Sequence, residues 1–186
     1  MPITLNGTGT ISGINVGGLP DGIVDADMLA SGVGGKVLQY KVANKTDQSS
    51  IQSATPAVIP NFSVTITPTA SNSTMIVRAS CFYSMNGDVI CSRIYNGTNF
   101  LISPSSFPSP THQSGSTSAY TAGQYMFQQE FMAYETSGNT NSRTYNIYWS
   151  TTGSATGYIN QWHGYAGYYS VSTLEVIEVA AWVLLN

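Results

Sequence analysis

In Phe62-Ser63-Val64-Thr65-Ile66-Thr67, apolar residues alternate without a break with hydroxyl-bearing ones, and Pro68 ends the run. Successive side chains of a strand point to opposite faces, so this pattern describes a strand with one face buried and the other wet. Similar segments follow. Met75 to Tyr83 reads as a second strand, and Asn86-Gly87 is a hairpin signal leading into Val89 to Tyr95. Asn96-Gly97 offers another tight turn, into Thr98 to Ile102, and the polar turn TSGNTNS separates Phe127 to Tyr134 from Arg143 to Trp149 as a further pair. With at least seven short strands and no strongly helical span after residue 35, the chain is expected to be all-β. A β-sandwich or jelly-roll head over residues 36–186 is the natural architecture.

Composition supports a folded sheet protein and removes several function classes. The chain has 186 residues, 42% hydrophobic and 11% aromatic, with a formal net charge of only -3, which separates it from disordered chains. Its six Lys plus Arg are scattered singly, so no basic stripe exists to neutralise phosphates, and nucleic-acid binding is disfavoured. The N-terminus MPITLNGTGTISG does not read as a signal peptide, and no apolar run has the length of a membrane-spanning helix. Synthesis in a cytoplasm without membrane insertion is expected.

Residues 1–35 are different in kind. Gly recurs at 7, 9, 13, 17, 18, 22, 32, 34 and 35, and the apolar residues Ile3, Leu5, Ile11, Ile14, Val16 and Leu19 stand apart from one another. Residues so spaced cannot enclose a core within one strand-like segment, so their burial must come from neighbours. One short helix is expected in PDGIVDADMLASG, opened by Asp25 and closed before Gly32, with Val24, Met28 and Leu29 on one side. A helix that short is marginal alone and points to packing on another subunit or another protein. Residues 1–35 are therefore expected to form an arm that needs a partner, with Ile3, Leu5, Ile11, Ile14, Leu19, Met28 and Leu29 as its anchoring residues.

The last strand, Ser172 to about Val183, has a defect. Leu174 and Val176 share a face, and an unbroken register would put Glu178 on it too. A β-bulge near Val176-Ile177 would repair this, unless both faces are contacted, one by the core and one by a neighbouring subunit. The apolar run Ala180 to Leu185 favours burial by another chain. Cys81 and Cys91 flank the Asn86-Gly87 turn. A two-residue loop would set Cys81 opposite Ser92, with the sulfurs on opposite faces, whereas a three-residue loop would set the cysteines across from each other. Free thiols are the favoured reading.

Two long loops complete the head. Residues 103–118 hold Pro104, Pro108 and Pro110, which suits an irregular surface loop, and residues 150–169 are rich in aromatics. The stretches ITLNGTGTISGINVGGLPDGIV with DADMLAS, GKVLQ, KTD, FSVTITPTASNSTMIV, RIYNG, FMAYETSGNTNSRTYNIYW and STLEVIEVA together resemble fibre-like virion proteins of tailed phages infecting marine bacteria and cyanobacteria. The resemblance covers most of the chain and includes no catalytic motif. It implies a homotrimeric particle protein located in the virion, with an arm that grips another virion protein and a β-sandwich head, used in tail fibres, head fibres or surface decoration.

No enzyme constellation is present, and no cofactor is expected. His112 and His163 lie in no metal-ligand spacing, and Asp21, Asp25 and Asp27 lack the calcium-loop pattern. Glu130, Glu135, Glu175 and Glu178 could pair as glycosidase acids, but their ordinary role is an outward face or subunit contact. The candidate site is the cluster Tyr158, Trp162, His163, Tyr165, Tyr168 and Tyr169, interleaved with Gly157, Gly164 and Gly167. Flat rings stack on apolar sugar faces, and Asn160 and Gln161 could satisfy sugar hydroxyls, so host surface polysaccharide is the ligand such a cluster would suit. The favoured reading is that the same rings fill the sandwich or a trimer seam. The functional expectation is a trimeric phage fibre for host-surface adhesion. The alternatives are a capsid decoration protein stabilising the shell and, with less in its favour, a carbohydrate-binding module.

Overall fold

The computed structural model describes residues 37–87, 89–101, 125–151, 154–163 and 165–181, with the side chains of 166 and 168 left aside. The arm at 1–35 with its anchoring residues and short helix, the Pro-rich loop at 103–118 with His112, and the C-terminal residues from Trp182 lie outside that set. Eleven strands are found among the described residues: β1 Val37–Lys45, β2 Ser49–Ile51, β3 Ala57–Ile66, β4 Thr74–Met85, β5 Ile90–Tyr95, β6 Phe127–Thr136, β7 Arg143–Thr151, β8 Gly157–Ile159, β9 Gln161–Trp162, β10 Tyr165–Tyr169 and β11 Ser172–Val179.

The expected all-β sandwich is what these strands build. Sheet A runs β1-β11-β4, with β6 on the other edge of β4 and the short β8 and β2 continuing the lines of β11 and β1; sheet B is β3-β7-β5. All pairings are antiparallel, and they nest: β1 with β11, β3 with β7, β4 with β6. Long strands nested in this way and wrapped into two sheets follow the order of a jelly roll. The alternating apolar residues of the sequence meet between the sheets. Ile59, Phe62, Val64 and Ile66 of β3 and Tyr145, Ile147 and Trp149 of β7 face Met75, Val77, Ala79, Cys81 and Tyr83 of β4, with Leu174 and Val176 of β11. Tyr83 stacks on Trp149 at 6.1 Å and accepts a hydrogen bond from Ser92 Oγ at 2.8 Å, which joins the sheets at mid-core.

Nesting corrects two expected hairpins. β4 and β5 flank Asn86-Gly87 but belong to different sheets, and so do β6 and β7 around TSGNTNS. Both turns are crossovers between layers. Asn86 makes the first one by donating its N–H to Thr156 O and accepting from Thr156 N at its side chain. Neither cysteine register considered above applies. Cys81 faces the core and Cys91 lies on the far side of sheet B; both are buried, and no disulfide joins them. Thr98 to Ile102 contributes only the single bridge Tyr95↔Phe100 among the described residues.

Of the two explanations open for β11, the bulge near Val176-Ile177 is absent, because β11 pairs with β4 in unbroken register from Thr173 to Val179. Glu178 therefore does point inward with Leu174 and Val176, and it is 0% exposed. Its carboxylate is made tolerable by donors rather than by a register shift. Oε1 accepts from Thr69 N at 2.8 Å, Thr69 Oγ1 at 2.9 Å and Ser73 Oγ at 2.6 Å, and Oε2 accepts from Gln39 Nε2 at 2.7 Å. Glu135 occupies the same inward row, beyond Met75, where it accepts from Tyr145 Oη and Asn96 Nδ2 and pairs with Arg143. Two carboxylates thus close one end of the sandwich, contrary to the expected outward placement of both.

Burial by itself would raise the Glu178 carboxyl, but hydrogen bonds from Ser73, Thr69 and Gln39 outweigh it and hold the group below its ordinary value of 4.5. A depressed native value stabilises the fold above about pH 4.5, and the contribution is lost as pH falls through the native value. Glu178→Gln leaves the donors facing an amide, and we expect a loss of about 2–3 kcal/mol at neutral pH. Thermal melts from pH 7 down to pH 3 should show a smaller acid-side loss in Glu178→Gln than in the wild type. Equal slopes would remove Glu178 as the acid-sensitive group.

Candidate functional site

The outer face of sheet A is built from the strand residues that alternate with the core. Registers along β1, β11, β4 and β6 set out its rows: Tyr40–Ile177–Ile76–Tyr134, then Val42–Glu175–Arg78–Met132, then Asn44–Thr173–Ser80–Glu130. The first row is wholly apolar or aromatic, and Tyr134 is 70% and Tyr40 54% exposed. In the middle, Arg78 pairs with Glu130 at 3.1 Å, and Tyr40 Oη donates to Glu175 at 3.1 Å. A shallow depression of about 160 Å³ lies there, lined by Arg78, Ser80, Thr173 and Glu175. Glu130 and Glu175 thus sit outward, while Glu135 and Glu178 hold the interior.

At the other end of this face stands the aromatic cluster expected from the sequence. It is a hairpin, β9–β10, inserted between β8 and β11 where these strands would otherwise run on as one line. Ser84 lies on the outer side of β4 and donates to Gln161 O at 2.6 Å, and His163 packs on the outward ring of Tyr158 at 5.1 Å, so the hairpin folds over the outer face. Trp162 is paired with Tyr165, their rings 4.9 Å apart and inclined by 33°. Tyr165 is 49% and Tyr169 68% exposed, whereas Trp162, His163 and Gln161 are half-buried. Gly157 lets β8 pack closely on Ile90 and Thr151, since a Cβ there would come within 2.9 Å of both side chains. The side chain of Tyr168 and Gly164 lie outside the described residues.

Asn160 needs correction as a sugar contact. It is 0% exposed, in the left-handed region at φ 57, and both its side-chain amide and its backbone N–H are engaged. Its amide donates to Lys45 O at 2.7 Å and Asp47 O at 3.2 Å, its backbone N–H to Phe82 O, and its Oδ1 accepts from Ser172 Oγ at 2.6 Å. Ser172 Oγ in turn accepts from Phe82 N at 3.0 Å. Asn160 is the clamp at which the chain leaves sheet A, and Ser172 marks where it returns. The sequence signal for it was the polar interruption between Ile159 and the aromatic tract, which reads equally well as a ligand group until the strand pairing is known.

A second aromatic group, on the outer face of sheet B, was missed by sequence reasoning. Tyr95, Phe100 and Tyr148 lie 5.1–5.3 Å from one another, and the guanidinium of Arg93 sits 5.1 Å over the Phe100 ring. The Asn96-Gly97 turn folds Phe100 back onto Tyr95: Asn96 Oδ1 accepts from Thr98 N and Asn99 N, and Gly97 has φ 90. Among the described residues, no cluster of His, Cys, Asp and Glu has the arrangement to hold a metal ion.

No family model matches the sequence, and no curated protein matches it. Among solved structures, the chain is similar to one of the Gx strain of infectious bursal disease virus, with 23% identity and a TM-score of 0.37 over 77% of this chain and 37% of that one. It is also similar to the D431N mutant VP2 protein of infectious bursal disease virus in derived T=1 particles, with 16% identity and a TM-score of 0.34 over 77% and 39%. The chain spans about two-fifths of the length of those proteins. At these scores the likeness specifies no shared fold, and the sandwich rests on the strand pairing described above.

The clamp yields a graded prediction. Asn160→Ala removes the bonds to Lys45, Asp47 and Ser172 and forces an alanine into a left-handed backbone, so a loss of about 3 kcal/mol is expected. Asn160→Gly relieves the backbone alone and should recover about 1 kcal/mol of it. Amide exchange across 161–171 should accelerate in both variants before the rest of sheet A is affected. Exchange unchanged in that segment would mean the hairpin is held by something other than Asn160.

Proposed function

We propose that this protein is a structural component of a phage virion, a homotrimeric fibre whose head binds the host surface through the β9–β10 hairpin. The observation that carries the reading is the hairpin itself: exposed rings raised from a strand line and fixed by a buried clamp. Rings held in place before a ligand arrives bind without the cost of ordering them, and their faces suit the apolar sides of sugars. The resemblance of most of the sequence to fibre-like virion proteins supports the particle setting, and jelly rolls are common in viral capsid and lectin domains. In this reading residues 1–35 dock on another virion protein.

The trimer seam is the apolar row Tyr40–Ile177–Ile76–Tyr134. Contiguous exposed apolar surface on a sheet face marks an association site, and three copies turned to a common axis would cover the row on each. About eight residues of β4 separate Ile76 from Ser84, or roughly 26 Å at the rise of a strand, so a seam at one end leaves the hairpin free at the other.

Sedimentation of the intact chain should give three times the 19.8 kDa monomer mass, and Tyr134→Lys should release monomers. Because Tyr134 is exposed, that substitution should change monomer stability by no more than about 0.5 kcal/mol. A monodisperse wild-type monomer would sink the trimer. Separately, Trp162→Ala and Tyr165→Ala should weaken binding of the intact protein to host envelope polysaccharide at least tenfold, with Tyr134→Phe as a neutral control. Antibody labelling of particles should mark the fibres. Labelling of the shell with no host binding would replace adhesion by capsid decoration.

A further inference from the structure

The outer face of sheet A sets two opposite charges side by side without pairing them. Glu175 on β11 is directly across from Arg78 on β4, and opposite charges so placed on one face ordinarily attract each other. Here each turns to its other neighbour. Arg78 Nη2 reaches Glu130 of β6 at 3.1 Å, while Glu175 Oε1 accepts from Tyr40 Oη of β1 at 3.1 Å. The space opened between them is the depression of about 160 Å³, whose remaining walls are Ser80 and Thr173, two residues along the same pair of strands. Solvent reaches it: Arg78 is exposed, and Ser80, Thr173 and Glu175 are half-buried.

The groups around this space have bonding capacity left. Arg78 commits Nη2 to Glu130 and keeps Nε and Nη1, Glu175 keeps Oε2, and Ser80 Oγ accepts from Gln128 Nε2 at 2.7 Å while its own proton stays available. Donors and an acceptor set around one opening match vicinal hydroxyls, each of which both donates and accepts. Charge narrows the class of sugar. One cation and two carboxylates leave this belt net negative on a chain of formal charge -3, so an acidic sugar is repelled and a neutral one is not. Position sets the length. Ser80 lies four residues of β4 from Ser84, beneath the β9–β10 hairpin, which is about 13 Å at the rise of a strand, with the half-buried Phe82 on the same face between them. One sugar ring does not cover that distance, whereas a short chain of them does.

We infer that Arg78, Ser80, Thr173 and Glu175 form a second subsite for the glycan held by the hairpin, taking a neutral hexose residue through its vicinal hydroxyls while another residue of the same glycan stacks on Trp162 and Tyr165. The inference rests on the adhesion reading and adds the ligand's charge and length to it. An Arg78–Glu175 ion pair would fill the space, so the turn of each charge toward its outer neighbour is what keeps the subsite open.

The test uses the intact protein and purified host envelope polysaccharide, whole and cut by partial acid hydrolysis into fragments of graded length. By calorimetry, Glu175→Gln and Arg78→Met should each bind the whole polysaccharide at least fivefold more weakly than the wild type. Both side chains stand at the surface outside the apolar row, so both variants should melt and sediment as the wild type does. On the shortest fragments Trp162→Ala should still weaken binding and Glu175→Gln should not. Wild-type affinity should be equal at low and high salt, because a neutral ligand has no charge to screen. Wild-type affinity in Glu175→Gln and Arg78→Met, with binding weakened in Trp162→Ala, overturns the subsite and leaves the adhesion reading standing. Weaker binding accompanied by dissociation into monomers assigns these residues to the seam and overturns the subsite too. Affinity that falls as salt rises overturns the neutral sugar, and no binding by the wild type overturns both readings.

Discussion

The bonds of Asn160 fix the geometry of one whole end of sheet A. β4 is twelve residues long, and its Tyr83 to Met85 end pairs with β8 while Thr74 to Ser80 pair with β11. These partners form one line interrupted by residues 160–171, so the sheet must stay closed across a gap in its own strand. Asn160 and Ser172 close it together, because Asn160 ties both ends of the β1–β2 connection through Lys45 O and Asp47 O, and Ser172 ties Phe82 on β4. A side chain that donates two bonds and accepts one, on a backbone that tolerates the left-handed region, is a narrow specification that asparagine meets. The exposed rings beyond it inherit their position from this buried group.

What the sequence made legible follows from how far each signal reaches. Alternation is local, so Phe62 to Ile66 and the strands around Met75, Tyr145 and Leu174 could be recognised with their inward residues. Pairing in a jelly roll is not local: β1 meets β11 across more than a hundred residues, and adjacent strands such as β4 and β5 are sent to different sheets. Asn-Gly favours a tight turn but does not say whether the chain returns in the same sheet. Hence the turns at Asn86 and Asn96 were legible as turns, and the partner strands were not. Glu178 failed for a related reason. Its alternation was read correctly as inward, and the bulge was invoked only because the donors that accept it, on Thr69, Ser73 and Gln39, come from distant segments.

The candidate site was partly legible on the same grounds. Clustered aromatics between glycines stand out in any sequence, and Trp162, Tyr165 and Tyr169 do meet on one hairpin. The division of labour inside the cluster was hidden, since Asn160 and Gln161 differ only in which of them falls at the strand break. The group on sheet B was less visible still. Arg93, Phe100 and Tyr148 come from β5, the following turn and β7, and nothing in RIYNG indicates that a ring from β7 will stand beside the arginine.

With 8% of its residues charged, this chain uses ion pairs sparingly, and their positions separate structural from available surface. Glu135 and Glu178 seal an end of the sandwich, and Lys45 anchors the irregular start of β3 through Pro60 O. Arg78, Glu130 and Glu175 keep the middle of sheet A's outer face wet between an apolar row and an aromatic hairpin. Such a belt prevents the face from acting as one continuous sticky surface, since desolvating three charges opposes close packing across it. In the proposed trimer, association would thereby be confined to the apolar end, and the ring-bearing end would be left for the proposed glycan.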